Sequence, residues 1–553
     1  MDSSPPALLR DERVAWVIAA LFTLVGVEAV LTGRYLHDEG ILSWYFASLI
    51  GHEPIAGLFF QKLRPTLALF YAPIAPLGLQ PFLLFHLLVS ASGILLIASL
   101  ARKFGHRTPN VAALVFACSP LLLATAPGGH SNADAVTGLV FAAWLLFVRE
   151  RPLAAGAMLA ATVFIRSEAA PFVLVIAAER LWTARPSGLR VVAGVLLVPT
   201  IYGLAGAVYH HDLLWLVHYP PALTRPPPDA HWLREDPLSS RLGQSAAVLL
   251  TLSPALLLAL VMRWPSSSAE RAQAIALVLY LAAIRGFPML GLFNFDGSPR
   301  YVACGLPALA LLVSRAVDDS FDERPGGPLG LFALASFAGL VIGASGAGWV
   351  SGTGQASGTI VQDAVFACIV VAALALALVR AGRPRAALAI WVVPLILSLP
   401  IWQRSTGVAR PRASLDRLTE VLGPELQSQG EITIVTNYPL VGPWLEFVGL
   451  LAPDQRAVHF IIQHDTQYEL DQLLDAEVGQ RETILGYLDR DFYGLPITAE
   501  QRLPEAWPPG TIVVFRADDN LPDTLDLERW NAAMTVFAEG DKLTFGRLHE
   551  ARP

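Results

Sequence analysis

Residues 81–100 read PFLLFHLLVSASGILLIASL, and the basic turn ARKFGHR follows at 101–107. The run carries no Asp, Glu, Lys or Arg. About 20 such residues are enough for one α-helix to cross the hydrocarbon layer of a bilayer. Arginine and lysine directly after an apolar run are typical of its cytoplasmic end. This stretch therefore predicts a membrane-spanning helix with a cytoplasmic C-terminal end.

The same pattern recurs along most of the chain. Of its 553 residues, 54% are hydrophobic and only 15% are charged, against about 25% charged residues in an ordinary soluble domain. This balance excludes a soluble enzyme, a disordered scaffold and a nucleic-acid-binding domain. We predict a polytopic α-helical membrane protein with about 13 transmembrane helices, the fifth and sixth short enough to form one broken hairpin. The predicted spans lie near residues 14–32, 81–100, 108–126, 133–148, 153–165, 169–183, 189–209, 243–263, 271–290, 300–316, 328–350, 361–380 and 385–403.

The arginines predict the orientation, because cytoplasmic loops carry an excess of basic residues. One set of alternate connections is rich in basic residues, whereas the loops 127–132 and 351–360 on the other side hold none. The N-terminus is then cytoplasmic, and an odd number of spans leaves the C-terminal part outside, most simply in the periplasm of a bacterial inner membrane. Asp318 and Asp319 fall in a cytoplasmic connection, where solvated side chains are expected. The basic connections contain Arg10 and Arg13; Arg102, Lys103 and Arg107; Arg149 and Arg151; Arg185 and Arg190; Arg263 and Arg271; Arg315 and Arg324; Arg380, Arg383 and Arg385.

The chain divides into a transmembrane part, 1–403, and a soluble part, 404–553. The first contains two long outer loops, 33–80 and 210–242. In the second, apolar β-branched runs at 431–437, 456–462 and 511–517 predict buried strands. Helical stretches are expected near 413–428, 441–451 and 523–534. Together they predict a small α/β domain on the outer side of the membrane.

Acidic candidates lie at the predicted outer ends of the spans. His37, Asp38 and Glu39 follow the first span directly. Carboxylates beside hydrocarbon need water or a functional role. Either this pair is a solvated loop start, or the apolar run ILSWYFASLI (41–50) holds it at the mouth of a cavity. Asp134, in HSNAD (130–134), either caps the fourth span or adds a third acid to the same cavity.

Basic candidates lie in the same outer regions. Lys62 and Arg64 share the first outer loop with the acidic pair, where they are either interfacial anchors or phosphate ligands. Arg166 and Glu168 join the two short spans, as an internal ion pair or as functional groups. Arg300 stands at the outer end of the tenth span, where it either anchors the interface or binds a phosphate bidentately.

These motifs, in their order, resemble the C-type (GT-C) integral-membrane glycosyltransferases. Within that class the sequence is most similar to the branch of protein O-mannosyltransferases and lipid A aminoarabinose transferases. The resemblance spans roughly residues 14–310. Its motifs are HDEG (37–40), KLRPTLALFYAPIAPLG (62–78), the span FLLFHLLVSASGILLIASLARKFG (82–105), HSNAD (130–134), FIRSEAAP (164–171) and PRYVACGLP (299–307).

The resemblance implies transfer of one sugar from a polyprenyl-phosphate donor to an acceptor hydroxyl on the outer face, with inversion. It implies that Asp38 is the general base, with Glu39 orienting the base or the acceptor. The acceptor side includes Asp134 and His37 as a second acidic site, and the acceptor is a glycan, a lipid or a protein.

The resemblance also implies cationic groups that hold the lipid phosphate. Lys62, Arg64 and Arg300 match that role, with Arg166 as a further candidate. The family often has a lysine directly before proline, whereas this chain reads Lys62-Leu63-Arg64-Pro65. Which of Lys62 and Arg64 takes the phosphate is therefore open. No metal or other cofactor is required by this reading.

Two other classes of function compete with this one. A secondary transporter or lipid flippase would show internal repeats and charges near the middle of spans, whereas here the charges cluster at outer ends. A catalytically inactive relative that binds glycans would not need Asp38, Glu39 and the basic set. The pattern favours the enzyme.

Overall fold

A computed structural model of the protein describes, in its helical part, residues 9–32, 54–59, 64–218, 267–289 and 299–322, with single positions between 43 and 50 and residue 265. In the C-terminal part it describes residues 420–424, 432–436, 458–463, 497–500, 510–516, 534–540 and 543–549. The predicted spans near 243–263, 328–350, 361–380 and 385–403 lie outside the described residues. The count of about 13 spans and the boundary at 403 therefore stay predictions.

The described helical part is a series of helices joined by short turns. Within the described residues, four segments are long and apolar enough to cross a membrane: Glu12–Thr32, Leu79–Lys103, Arg185–His210 and Tyr301–Asp319. Three 3-10 turns, Ala75–Leu77, Ser167–Ala169 and Pro299–Gly305, interrupt the series. The helices are α1 (Glu12–Thr32), α2 (Pro54–Phe59), α3 (Pro65–Tyr71), α4 (Leu79–Lys103), α5 (Pro109–Ala117), α6 (Pro120–Thr125), α7 (Ser131–Phe147), α8 (Pro152–Ile165), α9 (Ala170–Thr183), α10 (Arg185–His210), α11 (Trp215–His218), α12 (Ser268–Met289) and α13 (Leu306–Asp322).

The predicted third span, 108–126, is broken in two. Helix α5 ends at Ala117 and α6 begins at Pro120. Ser119 between them is extended, with φ −64° and ψ 123°, since proline disfavours the helical conformation in the residue before it. The prediction of a single helix over 108–126 is wrong here, because the sequence is apolar on both sides of the break and hydropathy alone gives one run.

The backbones of α8 and α10 approach each other closely at two glycines. A Cβ on Gly156 would lie 2.0 Å from the carbonyl oxygen of Val191, and a Cβ on Gly194 would lie 2.2 Å from that of Leu153. Small residues allow such close backbone approach between helices in membranes. The two glycines thus allow α8, the helix that ends just before Arg166, to pack closely on α10.

Several of the described basic connections share one end of the helices. Arg102 and Lys103 end α4, Arg149 and Arg151 lie between α7 and α8, and Arg185 begins α10. The start of α7 and the end of α8 consequently lie at the opposite end.

A buried polar cluster ties this basic end together. His106 Nε2 lies 2.8 Å from Glu270 Oε1, and its Nδ1 lies 3.0 Å from Ser314 Oγ. Asp318 Oδ1 accepts a hydrogen bond from the Thr108 hydroxyl at 2.7 Å, and Oδ2 accepts one from the Arg107 amide at 2.6 Å. Asp318 is only 3% exposed. The expectation that it is solvated is wrong, because these partners from the α4–α5 turn enclose it.

The C-terminal part contains a mixed six-stranded sheet. Its strands are β1 (Ile432–Thr436), β2 (Val458–Gln463), β3 (Ile497–Glu500), β4 (Ile512–Arg516), β5 (Met534–Gly540) and β6 (Leu543–Leu548), in the order β3-β2-β1-β4-β6-β5. The first four are parallel, whereas β6 is antiparallel to both β4 and β5. Ile434, Val513 and Phe545 are fully or almost fully buried. The three strands predicted from the sequence are confirmed as β1, β2 and β4.

Candidate functional site

Arg166 lies where α8 ends, at the end of the helices opposite the basic connections. Its backbone is extended there, with φ −146° and ψ 114°, which turns the chain into the 3-10 turn Ser167–Ala169. The guanidinium NH2 pairs with Glu168 Oε1 at 2.6 Å, and its carbon lies 5.0 Å from the centre of the Tyr301 ring. Arg166 is 6% exposed and Glu168 is 9% exposed. The ion pair that the sequence allowed between these two residues is therefore present, and it is buried.

A second guanidinium reaches the same place from the first outer loop. Arg64, the residue before α3, donates a hydrogen bond from its NH1 group to the hydroxyl oxygen of Ser131. Arg166 NH1 lies 3.4 Å from the same oxygen. Ser131 is the first residue of α7 and is fully buried. Two cationic side chains from distant parts of the sequence thus meet at one hydroxyl at a helix N-terminus.

Asp134 lies one turn further along α7 and is held by side chains on both oxygens. Oδ1 accepts a hydrogen bond from the Tyr71 hydroxyl at 2.5 Å, and Oδ2 lies 2.9 Å from His86 Nε2. Asp134 is 6% exposed, and Tyr71 and His86 are fully buried. Burial and the neighbouring Asp134 carboxylate raise the pKa of the Tyr71 phenol well above its ordinary value. The phenol therefore keeps its proton and stays a hydrogen-bond donor.

Aromatic side chains anchor the loop that precedes Lys62. The hydroxyl of Tyr202 donates a hydrogen bond to the Leu58 carbonyl at 2.7 Å, and His210 Nε2 lies 3.2 Å from the Phe59 carbonyl. These carbonyls close the C-terminal turn of α2, where backbone acceptors lack intrahelical partners. The Trp215 ring packs edge-on against Phe59 with centroids 5.9 Å apart. Helix α2 is thereby fixed to α10 and α11.

The remaining predicted site residues are not placed by these contacts. His37, Asp38, Glu39 and Lys62 lie outside the described residues. Arg300 belongs to the turn Pro299–Gly305, and its side chain is also outside the description. Their roles stay predictions.

Three residues at the site were missed by the sequence reading: Tyr71, His86 and Ser131. Ser131 lies in HSNAD (130–134) and Tyr71 in KLRPTLALFYAPIAPLG (62–78). Both side chains are neutral, whereas the candidate site residues were identified mainly by their charge. His86 gave a clear signal, because a histidine in the middle of LLFHLL (83–88) is costly to bury without a partner.

In the part of the chain that the structure describes, no group of three or more His, Cys, Asp or Glu residues is arranged to hold a metal ion. The expectation that no cofactor is required stays a prediction.

Comparison with known proteins gives a match in structure rather than in sequence. No protein-family model matches the chain, and no curated protein matches it either. The crystal structure of ArnT from Cupriavidus metallidurans in the apo state matches with a TM-score of 0.62 at 14% identity, covering 98% of this chain and 99% of that one. The structure of ArnT from the same organism bound to undecaprenyl phosphate matches with a TM-score of 0.58 at 15% identity, covering 96% and 97%.

The match over nearly the full length settles the fold class. ArnT is a lipid A aminoarabinose transferase of the GT-C class, the class that the sequence motifs resemble, so the resemblance is confirmed at the level of the fold. The chain is a polytopic helical membrane protein with the ArnT fold.

Proposed function

We propose that the protein is an inverting glycosyltransferase. It moves one sugar from a polyprenyl-phosphate donor to an acceptor hydroxyl on the outer face of the membrane. The observation that carries this proposal is the meeting of four motifs at one place. KLRP supplies Arg64, HSNAD supplies Ser131, FIRSEAAP supplies Arg166 and PRYVACGLP supplies Tyr301. An ArnT structure of the same fold contains undecaprenyl phosphate, which supports a polyprenyl-linked donor here.

The cationic side chains at Ser131 are suited to binding a phosphate. Arg64 and Arg166 both lie against Ser131, with Glu168 as the carboxylate paired to one of them. Guanidinium groups bind phosphate through parallel N–H groups. The N-terminus of α7 adds the positive end of a helix dipole. Lys62 and Arg300 are candidate further ligands of the same phosphate.

The proposed glycosyl transfer needs few catalytic groups besides these cationic side chains. As the acceptor oxygen forms its bond to the anomeric carbon, the bond from that carbon to the phosphate oxygen breaks. The polyprenyl phosphate leaves with the negative charge, which preorganised cations stabilise. Asp38, by the resemblance, takes the proton of the acceptor hydroxyl, and Glu39 orients it. A single displacement of this kind inverts the anomeric configuration.

The location of the site supports an outer-face reaction. Ser131 and Arg166 lie at the helix ends opposite the arginine-rich connections, which the charge bias assigns to the cytoplasm. We place the protein in a bacterial inner membrane, with its N-terminus cytoplasmic and the C-terminal sheet in the periplasm. A glycan, a lipid or a protein hydroxyl on that side is the acceptor.

A turnover assay tests the proposal. The purified protein is incubated in nanodiscs with a panel of polyprenyl-phosphate sugars and native membrane extract as the acceptor source, and release of polyprenyl phosphate is measured. We expect turnover of one donor, which Asp38→Asn abolishes and Asp11→Asn, a substitution of an exposed carboxylate at the basic end, does not change.

The other outcomes are equally informative. Failure to turn over any donor would contradict the proposal and favour a transporter, a flippase or an inactive glycan binder. Turnover that survives Asp38→Asn would keep the reaction and remove Asp38 as the general base.

A further inference from the structure

His86 carries a proton on a definite ring nitrogen. Its Nδ1 lies 2.7 Å from the carbonyl oxygen of Ala126. A carbonyl oxygen only accepts hydrogen bonds, so Nδ1 must be the donor. The other nitrogen, Nε2, therefore faces Asp134 either as a second N–H group or as a bare lone pair.

The short contact to Asp134 decides how many protons the pair holds. His86 Nε2 and Asp134 Oδ2 are 2.9 Å apart, a hydrogen-bond distance that requires a proton between the two atoms. That proton resides on Nε2, giving imidazolium and carboxylate, or on Oδ2, giving neutral imidazole and carboxylic acid. In both cases the pair has no net charge. A neutral imidazole facing a carboxylate would instead bring two lone pairs together between two buried side chains.

We propose that His86 and Asp134 form a net-neutral, proton-sharing pair that leaves the positive charge at Ser131 available to the donor phosphate. This inference rests on the proposed function and names a positioning role for His86. Without His86, Asp134 would be a full negative charge one helical turn from Ser131, competing with the phosphate for Arg64 and Arg166.

The same pair has a second consequence for the reaction. Because one proton already resides on it, Asp134 could act as a general base only by giving the pair a net positive charge. Such a charge is costly to create where both side chains are at most 6% exposed. Tyr71 also occupies Oδ1 as a donor. Asp134 is thus a fixed element of the site, and the base must come from another carboxylate.

The charge states lead to a specific pattern in a double-mutant cycle. In Asp134→Asn, the side-chain amide donates to Nε2 of a neutral His86 and the amide oxygen accepts from Tyr71, so the net charge stays the same. In His86→Gln, Asp134 keeps its negative charge with no compensating proton. In the double variant the charge is neutral again.

The experiment measures the Kd for undecaprenyl phosphate in detergent, with thermal unfolding of each variant as a check of folding. We expect His86→Gln to weaken binding about tenfold, the order of effect of one added charge in a partly buried site. Asp134→Asn should stay within about twofold of the wild type, and adding it to His86→Gln should restore binding. A purely structural role would instead make the double variant at least as weak as His86→Gln.

His106→Gln is the matched control. His106 forms a comparable buried pair with Glu270 at the opposite, basic end, so its loss should lower stability without changing the Kd. Unchanged binding in His86→Gln, or about tenfold tighter binding in Asp134→Asn, would overturn the neutral pair while the proposed function stands. If His86→Gln does not fold, the Asp134→Asn value decides alone. A wild-type protein that binds no undecaprenyl phosphate would overturn both.

Discussion

Arg64 is the residue at which the proposed phosphate binding can be separated from folding. It is only partly buried and donates to Ser131, whereas Arg166 is buried with Glu168 and its loss would strand a charge. Arg64→Gln should weaken undecaprenyl phosphate binding by about 1.5 kcal/mol, or about tenfold, because one charge-assisted donor is lost. Titration of the purified protein with the lipid measures this.

The control for Arg64 is the same substitution at the other end of the helices. Arg190 is exposed on α10, and Arg190→Gln should leave the Kd unchanged. Equal weakening by both variants would mean that the protein's overall charge, not the site at Ser131, attracts the lipid.

At the residue scale, the sequence predicted the charged half of the site. Arg64, Asp134 and Arg166 were identified because charges beside hydrocarbon are costly and need a reason. Their partners could not be predicted, since Tyr71 and His86 lie 63 and 48 residues from Asp134. Helical periodicity indicates which face a residue occupies, but not which distant helix packs against that face.

At the element scale, the contact between α8 and α10 depends on backbone approach at Gly156 and Gly194. A methyl group there would collide with a carbonyl oxygen of the other helix, which cannot move aside as a side chain can. Gly156→Ala or Gly194→Ala should therefore lower the free energy of unfolding by about 1–3 kcal/mol. Thermal unfolding of the purified variants measures the loss, and donor turnover should fall with it because α8 positions Arg166.

Gly203→Ala is the matched control on the same helix. A Cβ there would meet only the end of the Leu216 side chain, at 3.3 Å, so this variant should keep the wild-type unfolding temperature. Equal destabilisation at all three glycines would mean that the loss does not come from the close approach of α8 and α10.

The elements themselves were predictable where one local signal dominated. Apolar runs bounded by arginines predicted α1, α4 and α7, and the β-branched runs predicted β1, β2 and β4. The hairpin of β5 and β6 was missed, because residues 534–548 mix charges with short apolar stretches. Strand β6 pairs with β4, and Phe545 is fully buried, but neither fact can be predicted from the local pattern.

At the scale of the whole molecule, two buried polar groups mark opposite ends of one helix. Helix α4 carries His86 towards the end with Ser131, and the turn after it carries His106 at the basic end. Charge bias predicted this polarity of the molecule, since arginines gather on one side. It could not predict the cluster around His106, which joins residues more than 200 positions apart.

The gathering of arginines at one end of the helices predicts which side of the membrane the turn between α7 and α8 and the C-terminal sheet face. His549 is exposed at the end of β6, and Arg151 is exposed in the turn between α7 and α8. The chain has three cysteines, of which Cys118 and Cys304 are buried, so labelling of the unsubstituted protein measures the background. A membrane-impermeant maleimide added to intact spheroplasts should label His549→Cys, and should label Arg151→Cys only after permeabilisation.

The reverse pattern would put the basic connections outside and the sheet in the cytoplasm. Labelling of both before permeabilisation would mean that an even number of spans separates the two positions. The expected pattern puts Ser131, Arg166 and the C-terminal sheet together on the outer side of the bilayer, as the proposed outer-face reaction requires.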